Sequence, residues 1–415
     1  MSEAEARVYL ERSKSSPVKL SSNRGNLTSP SDLFSQIIPQ VIGRLGYLFI
    51  GVTPENIQNI TAHLSHPAPL LEDLSIYGRP RPTPDWRPVL ASTLFDGNLS
   101  SLRELYLDYV RTELPWRNMV NLTTFTLGHT PQGEISAGQL VDFFESAPHL
   151  REVEIYSATP TSGAEHGRLV SLTCLKRMEI SGGGSPSVLL EHLLIPAGAD
   201  LILEAELGSS LAGDLLPRSL DNLKNLPNFT TVKLYNQIFY PSVALSGPNG
   251  EVSLTPVASQ INTTSLALEL LARLDTSKTE RLRIVCGSPL SRDIVHRALL
   301  PMKGLRVLEL CECDSSSIFI HALHPSASSS VPMVCPKLEE LILVLCENVE
   351  AFDTTDVIRM AEARALRGKK LKTLGITDER YRSDPAGDLL ELRKHVGRVE
   401  YGPHVAAITV EDNWR

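Results

Sequence analysis

The sequence has no apolar run approaching the roughly 18 residues that a membrane span needs. Its opening residues, Met1-Ser-Glu-Ala-Glu-Ala-Arg7, carry no apolar signal-peptide core. Together these absences predict a cytoplasmic or nuclear protein with no membrane contact. Cysteine is sparse: six in all, at 174, 286, 311, 313, 335 and 346, with no C-x-x-C pair among them. A disulfide framework or zinc site needs ligands at defined spacing, so Cys311-Glu-Cys313 reads as free thiols. Basic charge is in deficit too. The net charge of −8 and a pI near 5.8 argue against a general nucleic-acid surface.

Catalytic signatures are also missing. There is no G-x-S-x-G, H-E-x-x-H, G-x-G-x-x-G or P-loop, and Gly182-Gly183-Gly184 lacks the Lys-Ser/Thr that would make it a phosphate cradle. The eleven histidines are scattered. His321 and His324 flank Ala322-Leu323 at a helix end, where a structural or capping role is expected. The chain is therefore expected to be no enzyme and to hold no cofactor or metal.

What is abundant is one six-residue pattern, L-x-x-L-x-L. It runs from Leu45-Gly-Tyr-Leu48-Phe-Ile50 through Leu102-Arg-Glu-Leu105-Tyr-Leu107 and Leu305-Arg-Val-Leu308-Glu-Leu310 to Val396-Gly-Arg-Val399-Glu-Tyr401. Most copies start 20 to 33 residues apart, and two gaps of 54 and 50 come close to double steps. Positions four and six point to one face of a strand and the residues around them to the other. No such unit buries its apolar face alone, so neighbours must stack. The spacing predicts an α/β repeat solenoid, a leucine-rich-repeat horseshoe with parallel strands on the concave side and helices on the convex side. A flat parallel α/β sheet is the competing architecture; near-constant spacing and a repeated strand motif favour the solenoid.

Between strands the period changes to that of helices. Thr53-Pro54-Glu55 opens one; Ser136 caps the next, with Leu140, Phe143, Phe144 and Ala147 as its stripe. Ser185-Pro186 opens Val188–Leu194. Further helices are expected over 265–274, 292–299, 316–323, 353–366 and 387–395. Four junctions share Pro before the strand, as in Ala147-Pro148-His149-Leu150, which places strand starts two residues after Pro. Val243–Leu245 and Val252–Leu254, around Gly247-Pro248-Asn249-Gly250, read as a hairpin insertion near 241–256.

Strand positions three, five and seven face away from the core. They present Asp73 and Tyr77; Glu104, Tyr106 and Asp108; Glu152, Glu154 and Tyr156; then, after the middle, Lys233 and Tyr235. The first set is acidic with tyrosines and the second turns basic. Tyr combines contact area with a polar tip and favours binding surfaces. These residues form the candidate site for a protein partner.

Arg7-Val-Tyr-Leu-Glu-Arg-Ser-Lys-Ser-Ser-Pro-Val-Lys-Leu20, followed by repeats ending in Leu371-Lys-Thr-Leu-Gly-Ile376, resembles the region after the F-box in mushroom-type fungal F-box proteins. The resemblance implies the substrate-recognition region of a cullin–RING ubiquitin ligase, with the stretch to Leu20 as a first strand segment. Residues 1–43 then read as an N-terminal cap and first repeat-like segment without F-box helices, 44–402 as the solenoid and 403–415 as a tail. Contact with the ligase adaptor is expected only where an F-box stands upstream. The alternative is a leucine-rich scaffold or regulator with no ubiquitin link.

Overall fold

A leucine at the fourth and sixth motif positions is buried only if a neighbouring strand brings its own leucine alongside, and register decides whether it does. The computed structural model describes residues 3–21, 37–78, 88–90, 94–112, 118–130, 135–158, 160, 168–182, 184–206, 215–226, 229–237, 240–248, 250–257, 263–286, 290–313, 316–325, 332–345, 354–378 and 386–402. The chain divides into two units, Met1–Lys224 and Asn225–Arg415. Both are α/β, with an open, mostly parallel sheet.

The first unit begins with helix α1 (Glu3–Ser13) and strand β1 (Val18–Ser21), so the segment expected to be a first strand is a helix and then a strand. Residues 37–41 are helical and lead through a short 3-10 turn into β2 (Leu45–Val52). Helix α2 (Ile57–His63), β3 (Asp73–Gly78), β4 (Val89–Leu90), β5 (Glu104–Asp108), β6 (Arg111–Thr112) and β7 (Thr124–Gly128) follow. Helix α3 (Ala137–Ser146) precedes β8 (Glu152–Tyr156), β9 (Val170–Ser171) and β10 (Arg177–Ser181). Then come α4 (Pro186–Leu190), β11 (Leu193–Leu194) and β12 (Asp200–Glu206). The main ladder runs β1-β2-β3-β5-β7-β8-β10-β12, parallel throughout. The two-residue strands pair separately, β4 with β6 and β9 with β11.

Register within that ladder is locked on the motif. Leu74, Leu105, Phe125, Val153 and Met178 lie side by side, as do Ile76, Leu107, Leu127, Ile155 and Ile180, all essentially buried. The second motif residue docks each repeat on the one before. Arg103 N–H donates to Glu72 O, Thr123 to Arg103 O, Arg151 to Thr123 O and Lys176 to Arg151 O, each at 2.8 Å.

In the second unit, β13 (Thr231–Gln237), β14 (Tyr240–Gly247) and β15 (Gly250–Val257) precede helix α5 (Thr263–Arg273) and β16 (Arg281–Cys286). Helix α6 (Arg292–Leu299), β17 (Val307–Cys311), α7 (Ser316–Leu323), β18 (Glu340–Leu345), α8 (Thr354–Leu366), β19 (Thr373–Asp378), α9 (Ala386–His395) and β20 (Arg398–Gly402) complete it. The order is β15-β14-β13-β16-β17-β18-β19-β20, and only β14 runs antiparallel to its neighbours. Each helix from α5 to α9 packs on the next. The expected hairpin is therefore present, in strands longer than the sequence indicated.

Several local expectations shift. Helix α2 starts at Ile57 rather than Pro54, because a turn closes first: the Ile57 N–H bonds to Thr53 O at 2.9 Å, and Asn56 Oδ1 takes the Thr53 N–H at 2.7 Å. Ser136 does cap α3, in a reciprocal box with Gln139. Helix α4 stops at Leu190, since Leu193–Leu194 pair with Val170–Ser171 instead of continuing it. At the Pro junctions the strand starts four residues on, not two. Ala68–Leu71, Ala147–Leu150 and Cys335–Leu338 each close a tight turn at 3.1 to 3.2 Å, with Pro in the position whose fixed φ suits it.

Leu105 and Leu341 sit at the fourth motif position with 1% and 0% exposure. Replacing either with Ala is expected to cost roughly 2–5 kcal/mol in denaturant melts, from lost transfer energy and the cavity left behind. A loss under about 1 kcal/mol at both would show that the register is wrong.

Candidate functional site

Parallel pairing without slip turns the outward positions of the first unit into rows about 4.8 Å per step. One row reads Tyr47, Asp73, Glu104, Thr124, Glu152, Arg177 and Asp200 from β2 to β12. The next reads Phe49, Ser75, Tyr106, Thr126, Glu154 and Glu179, and the third Gly51, Tyr77, Asp108, Gly128, Tyr156 and Ser181. The eight site residues expected here are thus brought onto neighbouring strands. Glu104, Glu152 and Glu154 are exposed; Asp73, Tyr77, Tyr106 and Tyr156 are half-buried. Lys233 and Tyr235 belong to the second unit, on β13, beside Arg283 and Val285. There Arg283 Nε stands 3.7 Å from Glu309, which tempers the basic character expected of that face.

Asp108 differs from its expected role. It is only 4% exposed and lies under the surface. His129 Nδ1 donates to its Oδ1 at 2.9 Å, and the Tyr106 hydroxyl donates to its Oδ2 at 3.1 Å. Tyr106 and Tyr156 hydroxyls are 2.8 Å apart. The Tyr109 ring stacks on His129 with centroids 4.0 Å apart, and His129 meets Tyr156 edge-on at 5.2 Å. Tyr77 touches Tyr109 edge-on at 6.0 Å. The buried carboxylate therefore anchors a patch of rings rather than facing a partner itself.

The backbone makes room for this. Tyr156 lies across Gly128, where an added Cβ would fall 2.3 Å from its ring. At Gly78 a Cβ would fall 1.9 Å from the Tyr109 carbonyl. Tyr109, His129 and Ser157 each follow a strand end and each adopt positive φ, at 53°, 45° and 50°. Non-glycine residues hold such a conformation only where the surroundings fix it. Here the N–H groups of Tyr109, His129 and Ser157 bond the last carbonyl of the following strand, at 3.3, 2.9 and 2.7 Å. Sequence reasoning missed Tyr109 and His129 because they lie just beyond the motif. The one signal available was an aromatic or imidazole ring directly after the seventh position in two successive repeats.

Burial, the Tyr106 hydrogen bond and the Asp108 charge push the Tyr156 phenol well above its ordinary range. Burial first, and then the Glu104 charge, raise the Asp73 carboxyl. The cluster thus keeps a neutral, hydrogen-bonded phenol and a crowded carboxylate, an arrangement suited to display. Among the described residues no three His, Cys, Asp or Glu converge as a metal site requires. Cys311, Cys313 and Cys335 are buried thiols outside any disulfide, and Cys174 is half-buried. No helix among the described residues is long and apolar enough to cross a membrane. No family model and no curated protein matches the chain.

Gly128→Ala should destabilise by about 1–3 kcal/mol through overpacking against Tyr156. In a Tyr156→Ala background most of that cost should vanish, a coupling that a double-mutant cycle in urea reads directly. Additive costs would mean the ring does not lie over Gly128. Asp73 gives a pH test. Its folded pKa is raised, so its contribution is present below the unfolded pKa near 4 and lost as pH rises through the folded value. Asp73→Asn should therefore gain stability relative to the parent between pH 4 and pH 7; a relative loss over that window would contradict the burial.

Proposed function

We propose that this chain is a non-catalytic protein-recognition module, a leucine-rich-repeat horseshoe whose strand face across residues 73–156 takes a basic segment of a protein partner. The observation that carries the reading is the pinned patch itself. Exposed Glu104, Glu152 and Glu154 lie beside Tyr106 and Tyr156, whose hydroxyls meet at 2.8 Å over a buried Asp108. Rings fixed before binding lose little freedom on contact, which favours affinity. The carboxylates steer a cationic partner and set its arrival rate more than its final affinity. The horseshoe reading is supported by the repeated motif and by parallel register across seven strands of the first unit.

The resemblance around Arg7–Leu20 supports a place for this module in a cullin–RING ubiquitin ligase as the part that recognises substrate, in the cytoplasm or nucleus. Nucleic acid and membrane are not its targets on this reading, in keeping with a net charge of −8.

Partners captured by the chain should lose about tenfold or more in affinity when Tyr106 and Tyr156 are both replaced by Ala, mainly through faster dissociation. Glu104→Gln, Glu152→Gln and Glu154→Gln together should instead slow association, an effect that fades as salt is raised. A partner indifferent to the double tyrosine replacement would refute the site. The ligase link has its own test: the cellular gene product should co-precipitate the ligase adaptor, and an adaptor-free precipitate would leave a scaffold without a ubiquitin role.

A further inference from the structure

A second feature lies in the second unit, on its helices rather than its strands. A pocket of about 450 Å³ opens between consecutive helices. Helix α6 contributes Arg292 and His296, α7 and its end contribute His321 and His324, and α8 contributes Asp356 and Arg359. The floor is apolar, from Ile320, Met333 and Val334. Its volume lies within the range of small-molecule sites, which pair an apolar lining with a few convergent polar groups.

The charge balance favours an anion. Among the described residues, two guanidinium groups and three imidazoles line the pocket with a single carboxylate. Asp356 is loosely shared, 3.4 Å from His321 Nε2 and 3.8 Å from Arg359 Nη1. His324 Nδ1 donates to the Pro325 carbonyl at 2.9 Å.

An independent feature lies beneath the floor. Arg364 on α8 is completely buried. Its Nη1 donates to Leu323 O at 3.4 Å and Val334 O at 3.2 Å, and its Nη2 donates to Cys335 O at 2.8 Å. Its Nε has no hydrogen-bond partner among the described residues. The Cys335 thiol is pushed up to about 12 by burial, so it supplies no counter-charge near neutrality. Val334 itself lines the pocket, and Leu323 lies between pocket residues Ala322 and His324. Among the described residues only carbonyls meet this cation, and a cation so placed is costly to bury. An anion in the adjoining pocket would offset part of that cost.

We propose that this pocket binds a small phosphate monoester with an apolar body, its phosphoryl oxygens held by Arg292 and Arg359 and its body resting on Ile320, Met333 and Val334. Guanidinium groups match phosphoryl oxygens in geometry as well as charge. This assignment does not rest on the strand-face reading above.

The test is calorimetric titration of the full chain with phenyl phosphate and inorganic phosphate. Phenyl phosphate should bind at pH 7 with a dissociation constant of about 1 mM or below, and inorganic phosphate about tenfold more weakly. The exposed pair Arg292→Gln and Arg359→Gln should weaken phenyl phosphate about tenfold or more without altering the melting temperature of the unliganded protein. In the parent protein, the ring resonances of His296, His321 and His324 should shift on titration. No binding of phenyl phosphate at ten times the expected constant, binding indifferent to the double replacement, or unmoved histidine resonances would each overturn the proposal.

Discussion

Everything in this chain depends on one short hydrogen bond made repeatedly: the N–H of the second motif residue reaching the carbonyl of its counterpart in the preceding repeat. It recurs from Arg103 on Glu72 to Lys372 on Glu339 at 2.8 Å. Ahead of it, a tight turn brings a buried leucine into the core; beyond it, the parallel ladder begins in register. Hydrophobic burial supplies the stabilisation, but this bond decides which leucine meets which. A slip of one residue would put the inward side chains on the outward face. It would also scatter the carboxylates and rings that now stand in rows.

Much of this was legible because periodicity reports burial directly. The helices at 292–299 and 316–323 fall where the apolar stripe places them, and the Ser136 cap follows from residue chemistry alone. The failures have physical causes. β12 was hidden in the 54-residue gap because its repeat is one residue shorter between turn and strand. The turn residue Ala199 precedes the inward Leu201 by two positions, whereas Leu175 precedes Met178 by three, so the six-residue pattern does not match. The 50-residue gap is not a double step at all, since a hairpin and a helix fill it.

The site was legible in part. Alternation places Glu104, Tyr106, Glu152, Glu154 and Tyr156 on one face, and they are there. Alternation cannot say that Asp108 turns under that face, because this depends on His129, contributed by the next repeat and folded back by a positive φ. Nor can it reveal Gly128 as the space over which Tyr156 lies. His321 and His324, read from sequence as end-of-helix residues, prove to line a pocket whose other charged groups come from helices 20 or more residues away in sequence. Contacts between repeats, rather than within them, are what a single-strand pattern leaves out.

The hairpin of β14 and β15 carries a rule of parity. β14 opposes β13, and β15 opposes β14, so β15 points the same way as β13. An added pair of strands therefore widens the sheet by about two strand spacings while restoring its polarity. A single added strand joined by a tight turn would present a reversed edge, which no motif-bearing strand could meet in the same register. Growth of such a ladder by short insertion is thus quantised in twos.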